Sequence, residues 1–332
     1  MIEVTNLKKE FKKPIRGEGI SGMFKTLFSN KYEIKTAVND INFTIKEGEM
    51  VGYIGSNGAG KSTTIKMMCG ILNPTDGKVL INGLEPYKNR KKVAQNIGVV
   101  FGQKTQLWWD IPLIESFVVL KEIYQITDDD YNERMEFLNE VLNINDILKQ
   151  PVRTLSLGQR MRADLAASLL HNPKVLFLDE PTIGLDVLVK ERIRNAIKEM
   201  NKKYNTTVIL TTHDMADIED LCQRIIIIDE GKIIYDGDIN NIKNKFGDLR
   251  TITIEMRNKL KDTSKFNTFD SNVSYELEEK NLIVKFDALK VSFDEVVNHI
   301  IKNTQMADMK LKEISIEEVV REIYKKQEET EE

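Results

Sequence analysis

Cysteine is scarce in this chain. Only Cys69 and Cys222 occur, each beside apolar residues and neither at zinc-ligand spacing. That excludes a disulfide framework and a zinc module, and it reads as two buried thiols in a reducing cytosol. No run approaches the ~18 apolar residues of a membrane span, and the longest aliphatic stretch, Ile225 to Ile228, has only strand length. The opening MIEVTNLKKEF lacks the apolar core of a signal peptide and alternates as a first strand does. Neither sign of charge dominates, with 48 basic against 52 acidic residues, so no global basic excess argues for nucleic acid. These absences exclude an integral membrane protein and a secreted one. What remains is a chain with 41% hydrophobic and 30% charged residues, enough to bury a core. Its 332 residues allow two domains at roughly 100–200 residues each.

Periodicity gives the organisation. Residues 1–12 read as a strand. The insertion at about 13–31 differs in character: Ile20, Met23, Phe24, Leu27 and Phe28 mark one face of a short helix. From Lys8 to Lys31 there are seven basic residues and two acidic ones. Residues 35–44 alternate as a strand, and Met50 to Ile54 is a buried strand followed by glycine-rich sequence and a helix from Lys61 to Ile71. Residues 112–149 are mostly helical, with a polar break at Thr127 to Asp130, and a further helix starts near Gly158. Two continuous apolar strands, Val175 to Leu178 and Thr207 to Leu210, flank a helix at 187–203. That order argues for an α/β fold with a parallel sheet covered on both faces. The pattern stops near Gly247. Residues 248–332 read as a small α+β unit with strands at 251–255 and 282–286, helices at 293–303 and 315–326, and an acidic tail.

Gly55-Ser56-Asn57-Gly58-Ala59-Gly60-Lys61-Ser62 fits GxxxxGK[ST] between a buried strand and a helix, the context this phosphate-loop motif requires. Glycines let the backbone curl so that several N–H groups face one anion, and the helix N-terminus adds positive potential at the same point. Lys61 reaches β- and γ-phosphates, and the Ser62 hydroxyl can ligate Mg²⁺. Val175-Leu176-Phe177-Leu178-Asp179-Glu180 supplies the carboxylates such a loop needs. Asp179 is placed to hold magnesium through water, and Glu180 to polarise an attacking water.

The stretch LSLGQRMRADLAASLLHNPKVLFLDEPTIGLD, together with GSNGAGKST, resembles the signature, Walker B, D-loop and Walker A motifs of ABC-type ATPases. The resemblance covers about residues 1–247, with the motifs in family order. It implies a P-loop cassette with a helical subdomain at about 104–172, followed by the accessory domain at 248–332. It further implies that Gly55 to Thr63 cradle ATP. Gln103 matches the Q-loop glutamine that contacts Mg²⁺ and senses the γ-phosphate. Ser156, Leu157, Gly158 and Gln159 match the signature, Asp186 the D-loop, and His213 the switch histidine. Leu157 stands where the family usually has glycine. For the aromatic that stacks on adenine, spacing to Ala37-Val38 favours Tyr32, with Phe11 as the rival.

In that family each ATP lies between the phosphate loop of one cassette and the signature of another. A chain with one complete set therefore implies two composite sites in a homodimer or in a pair with a similar chain. The resemblance points to the ATP-hydrolysing subunit of a transporter at the cytoplasmic face of the cell membrane, with the permease a separate integral-membrane chain. It is similar to the exporter branch, above all the viologen and multidrug group. The alternative is a soluble ABC ATPase acting on ribosomes or nucleic acid, though no nucleic acid is expected. Trp108-Trp109 fit either permease contact or packing in the helical subdomain. Residues 19–29 offer a basic amphipathic face for peripheral membrane contact, against packing on their own cassette.

Overall fold

The protein, a computed structural model, is described at all residues but 15–31, 103, 247–248, 258–261, 265, 267–268, 279, 314–316 and 322–332. The proposed helix at 19–29 lies outside the described residues. The chain divides into two compact units, 1–237 and 238–332.

The first unit contains two sheets. One is antiparallel, in the order β2-β1-β4, from β1 (Ile2–Pro14), β2 (Tyr32–Ile45) and β4 (Asp76–Ile81). The other has six strands in the order β5-β6-β7-β3-β8-β9. These are β3 (Met50–Gly55), β5 (Ile97–Phe101), β6 (Val175–Asp179), β7 (Thr207–Thr211), β8 (Arg224–Asp229) and β9 (Lys232–Asp238). The pairings β3–β7, β3–β8, β5–β6 and β6–β7 are parallel. Leu176, Phe177, Leu178, Ile209 and Leu210 are fully buried, which is why these strands carry no polar alternation.

Helix α1 (Lys61–Met68) leaves β3 directly after the glycine-rich turn. Its Ile65 and Met67 join one core with Ile2, Val38 and Ile41 of the antiparallel sheet and Tyr53, Phe177 and Ile226 of the parallel one. Truncating Phe177 to alanine in such a core is expected to cost roughly 3–5 kcal/mol. A short α2 (Arg90–Ala94) precedes β5. Between β5 and β6 run α3 (Leu113–Tyr124), α4 (Asp128–Leu142) and α5 (Leu157–Leu169), with α3 and α4 packed on α5. Thr127 starts α4 because its hydroxyl accepts the Asp130 N–H at 3.2 Å. Helices α6 (Val187–Tyr204) and α7 (Met215–Leu221) flank β7.

Two expectations change here. The insertion does not begin where strand structure ends, because Lys13 pairs with Glu33 and Pro14 with Tyr32, extending the β1–β2 hairpin at both ends. Cys222 is buried and Cys69 only partly so. Burial still pushes both thiols up, Cys222 to about 12.

The second unit opens with α8 (Ile239–Phe246) and holds an antiparallel sheet, β11-β12-β10-β13. Its strands are β10 (Leu249–Met256), β11 (Val273–Glu278), β12 (Asn281–Asp287) and β13 (Met306–Glu313). Helix α9 (Phe293–Asn303) buries Val296 and Ile300 in a core with Ile252, Ile254 and Phe286. Strands β11 and β13 escaped the periodicity reading. β13 sits at an edge and carries Lys310 and Lys312 outward, a composition that reads as loop but suits an edge strand.

Candidate nucleotide site

The site forms at the carboxyl ends of β3, β6 and β7, where open parallel sheets place their ligands. Backbone geometry builds the phosphate loop. Gly58 and Gly60 have φ of 90° and 109°, and a Cβ at Gly60 would lie 2.4 Å from the Ala37 carbonyl oxygen, so only glycine fits there. The loop is propped from outside. The two-residue turn between β8 and β9 uses left-handed Glu230 and Gly231, and the Gly231 N–H donates to Ala59 O at 3.0 Å. The Ser56 hydroxyl donates to Asp229 Oδ1 at 2.8 Å. Ser56, Asn57 and Gly58 form an exposed rim, while Ala59, Gly60 and Lys61 are buried and Thr63 is half-buried.

Lys61 folds back into this rim. Its ammonium donates to Gly55 O at 2.7 Å and Ser56 O at 3.0 Å. Burial pulls its pKa below the usual lysine value, against the opposing pull of Glu180 and Asp179. Ser62 Oγ stands 3.5 Å from Asp179 Oδ2, and the Thr211 hydroxyl donates to Asp179 Oδ1 at 2.5 Å. Two hard oxygens therefore converge from α1 and β6. Among the described residues no cluster of three or more His, Cys, Asp or Glu could hold a metal. The pair suits Mg²⁺, which binds through one or two protein oxygens plus substrate phosphates.

Glu180 leaves β6 in the left-handed region, φ 56°, a conformation that costs a non-glycine residue and collects at functional sites. Its N–H donates to Thr211 O at 2.9 Å. Its carboxylate Oε1 lies 2.9 Å from His213 Nε2, so β6 and β7 deliver the two predicted groups to one point. A cleft of about 430 Å³ opens beside them, lined by Ser62, Lys66, Phe101, Lys104, Asp179 and Glu180 among others. Gln103 lies outside the described residues. Its neighbour Gly102 donates its N–H to Asp179 O at 2.8 Å.

The signature residues stand elsewhere. Ser156 caps α5 with a full capping box: its hydroxyl accepts Gln159 N–H at 3.3 Å and its N–H donates to Gln159 Oε1 at 2.9 Å. A Cβ on Gly158 would lie 3.2 Å from the Val189 methyls, and one on Gly184 3.2 Å from Leu157. Asp186 caps α6 by accepting Val189 N–H at 3.0 Å. Signature and D-loop are thus neighbours in one chain. Among the described residues no hydrogen bond joins Ser156–Gln159 to Gly55–Thr63. Leu157 is 39% exposed and presents its side chain outward.

Phe11 and Tyr32 are both substantially exposed. Phe11 stands opposite Lys35, three residues from Tyr32, so strand alternation puts the two rings on opposite faces of the hairpin. Trp108 and Trp109 are 41% and 48% exposed, with the Arg160 guanidinium 5.7 Å from the Trp109 ring. Several supporting residues went unread in the sequence. Fully buried Asp217 accepts hydrogen bonds from Thr182, from Arg194 at 2.9 Å and from Thr212 at 3.5 Å. It thereby ties the segment after Glu180 to the one before His213. The available signal was a carboxylate one turn beyond His213 on a short helix.

The ABC transporter family model matches residues 38–183. The chain is 32% identical over 215 residues to the ABC transporter ATP-binding protein NatA of Bacillus subtilis, covering 65% of this chain and 87% of that one. The chain belongs to the ABC transporter family. It is an ATP-binding subunit and an ATP hydrolase. The probable multidrug ABC transporter ATP-binding protein YbhF of Escherichia coli is 36% identical over 215 residues, which are 65% of this chain and 37% of that longer protein. Among solved structures, the dimeric post-hydrolysis ATP-binding cassette MJ0796 bound to ADP and Pi superposes with a TM-score of 0.60 at 26% identity. That match covers 72% of this chain and 99% of MJ0796. The expected P-loop ABC cassette fold is the one observed.

Proposed function

We propose that this ABC subunit powers export by a separate membrane permease, closing with a second cassette around ATP and opening after hydrolysis. The observation that carries the reading is the convergence of Lys61, Asp179, Glu180 and His213 at the ends of adjacent parallel strands, with Glu180 and His213 2.9 Å apart. Lys61 and the loop N–H groups bind the phosphates of ATP. Ser62 and Asp179, with Gln103, would hold Mg²⁺, which would supply charge neutralisation to the phosphates. Glu180 orients the attacking water and takes its proton, and His213 fixes the Glu180 carboxylate. Ser156, Leu157, Gly158 and Gln159 serve the ATP of the partner cassette, with Asp186 beside them at the interface. Tyr32 stacks on adenine. The small domain after Gly237 is an accessory unit.

Export is supported by the multidrug designation of YbhF and by the resemblance of VVFGQKTQLWWDIP and EPTIGLD to the exporter branch. No helix among the described residues is long and apolar enough to cross a membrane. On this reading the subunit sits peripherally at the cytoplasmic face, and Trp108-Trp109 face the permease. Affinity purification from native membranes tests it. A polytopic membrane protein recovered in stoichiometric amount is the expected result; recovery of ribosomes instead would refute it.

A further inference from the structure

A ladder of charge joins α6 to α7. Lys190, Arg194 and Lys198 recur every four residues on α6, and Asp214, Asp217 and Asp220 recur every three at the cap of α7 and along it. Spacings of three and four keep each set on one face of its helix. Lys190 Nζ lies 2.6 Å from Asp214 Oδ2, Arg194 Nη1 2.9 Å from Asp217 Oδ1, and Lys198 Nζ 2.6 Å from Asp220 Oδ1. Arg194 Nε also reaches Asp220 Oδ2 at 3.3 Å. The rungs differ in burial. The Lys198 and Asp220 side chains are 38% and 41% exposed, whereas Asp217 is fully buried. Exposed pairs contribute little to stability. Burying a carboxylate is costly unless it is both paired and hydrogen-bonded, so the contacts of the middle rung need their own explanation.

The second Asp217 oxygen faces the hydrolytic pair. Oδ2 accepts the Thr182 hydroxyl and, at 3.5 Å, the Thr212 hydroxyl. Both threonines are buried. Thr182 follows Glu180 by two residues, across Pro181, whose ring fixes φ. Thr212 immediately precedes His213, and its Oγ1 accepts the Asp214 N–H at 3.0 Å. One carboxylate oxygen thus joins the two segments that bring Glu180 Oε1 and His213 Nε2 to 2.9 Å. A carboxylate offers two oxygens to the converging donors of Thr182, Thr212 and Arg194; an asparagine offers one.

We propose that Asp217 is a positioning residue for hydrolysis, which fixes the Glu180 and His213 side chains at their observed separation and leaves nucleotide binding alone. The proposal rests on the roles given above to Glu180 and His213. Glu180 stands in the left-handed region, φ 56°, a conformation that persists where the surroundings over-determine it. The Thr182–Asp217 hydrogen bond holds the chain two residues beyond it, and Arg194 holds Asp217 in turn from α6. The Lys198–Asp220 rung reaches neither segment and only seats α7 on α6.

The test measures steady-state ATP hydrolysis and ATP affinity on the full chain. Thr182→Val deletes one hydroxyl and leaves the Arg194–Asp217 pair intact. It is expected to lower kcat about tenfold through misplacement of Glu180, with ATP affinity unchanged. Thr182→Ser, which keeps the hydroxyl, restores kcat. Lys198→Ala, which removes an outer rung, leaves kcat at the wild-type value. An unchanged kcat in Thr182→Val overturns the proposal, as does equal impairment of the Val and Ser chains or an equal loss in Lys198→Ala, either of which reduces the network to packing. A second readout asks through which group Thr182 acts. In a Glu180→Gln chain, Thr182→Val is expected to add no further loss of single-turnover hydrolysis, because the group it positions is already gone; a full additional tenfold loss overturns the proposal. Asp217→Asn serves where Thr182→Val folds poorly: a lowered kcat at unchanged ATP affinity supports positioning, and an unchanged kcat overturns it. Glu180→Gln alone separates the two levels. If it hydrolyses ATP normally, the reading of the site itself fails. If it is impaired while Thr182→Val is not, positioning alone fails.

Discussion

The two halves of the nucleotide machinery are built differently. On the phosphate side the main polar groups are tied to neighbouring segments: Lys61 to Gly55 and Ser56, Ser56 to Asp229, Asp179 to Thr211, Glu180 to His213. On the signature side the Ser156 and Gln159 side chains bond to each other's backbone N–H, and among the described residues no hydrogen bond joins them to Gly55–Thr63. The first half is preorganised for chemistry. On the proposed reading the second is a docking element, with backbone N–H groups and a hydroxyl held at a helix N-terminus, where an anion is favoured. A site assembled from one of each, taken from two chains, is the arrangement that uses both.

The sharpest way to break the phosphate half is Glu180→Gln. Steady-state hydrolysis should fall by about 10²–10⁴-fold while ATP binding persists. An unchanged turnover number in a coupled assay would remove Glu180 from its role.

The signature half can be sharpened by pH. Asp164, buried within α5, has a folded-state pKa of about 6, raised from 3.8 by burial, so the folded chain holds its proton more tightly than the unfolded chain. That contribution to stability is fully present below about 3.8 and is lost as pH rises through about 6. The difference is of the order of 3 kcal/mol. In urea titrations the stability advantage of wild type over Asp164→Asn should therefore shrink by about that amount between pH 4 and pH 7. A pH-independent difference would contradict the burial argument.

The smallest effect concerns the edge of the phosphate half. Tyr32→Ala should weaken ATP about 3–10-fold through lost stacking, and Phe11→Ala, on the opposite face, should leave affinity unchanged. Equilibrium dialysis with ATP decides between them, and the reverse ranking would move the adenine to the other face of the hairpin.

Much of this was legible in the sequence because chemistry constrains spacing. The phosphate loop must follow a buried strand and open a helix, and Asp179 and Glu180 must end another, so those positions are fixed by motif alone. Buried strands β6 and β7 were equally plain, as continuous apolar runs. The support network was not legible. Thr211, Asp229 and Asp217 are distant from their partners in sequence, and a threonine or aspartate at a strand end is ordinary composition. The Asp164–Thr105 contact joins a helix to a loop with no periodic signature. The register that separates Phe11 from Tyr32 depends on how far the hairpin extends, which the intervening insertion hides. In the second unit, β13 was missed because edge strands trade β-forming residues for lysine.

The most direct test of the composite site mixes two inactive chains. Lys61→Ala destroys the phosphate half and Ser156→Arg the signature half, so each homodimer has no complete site. A mixed dimer regains one, formed by the phosphate loop of the Ser156→Arg chain and the signature of the Lys61→Ala chain. ATPase activity of the mixture should exceed the sum of the two variants measured alone. A mixture no more active than that sum would contradict a site shared between two copies of this chain.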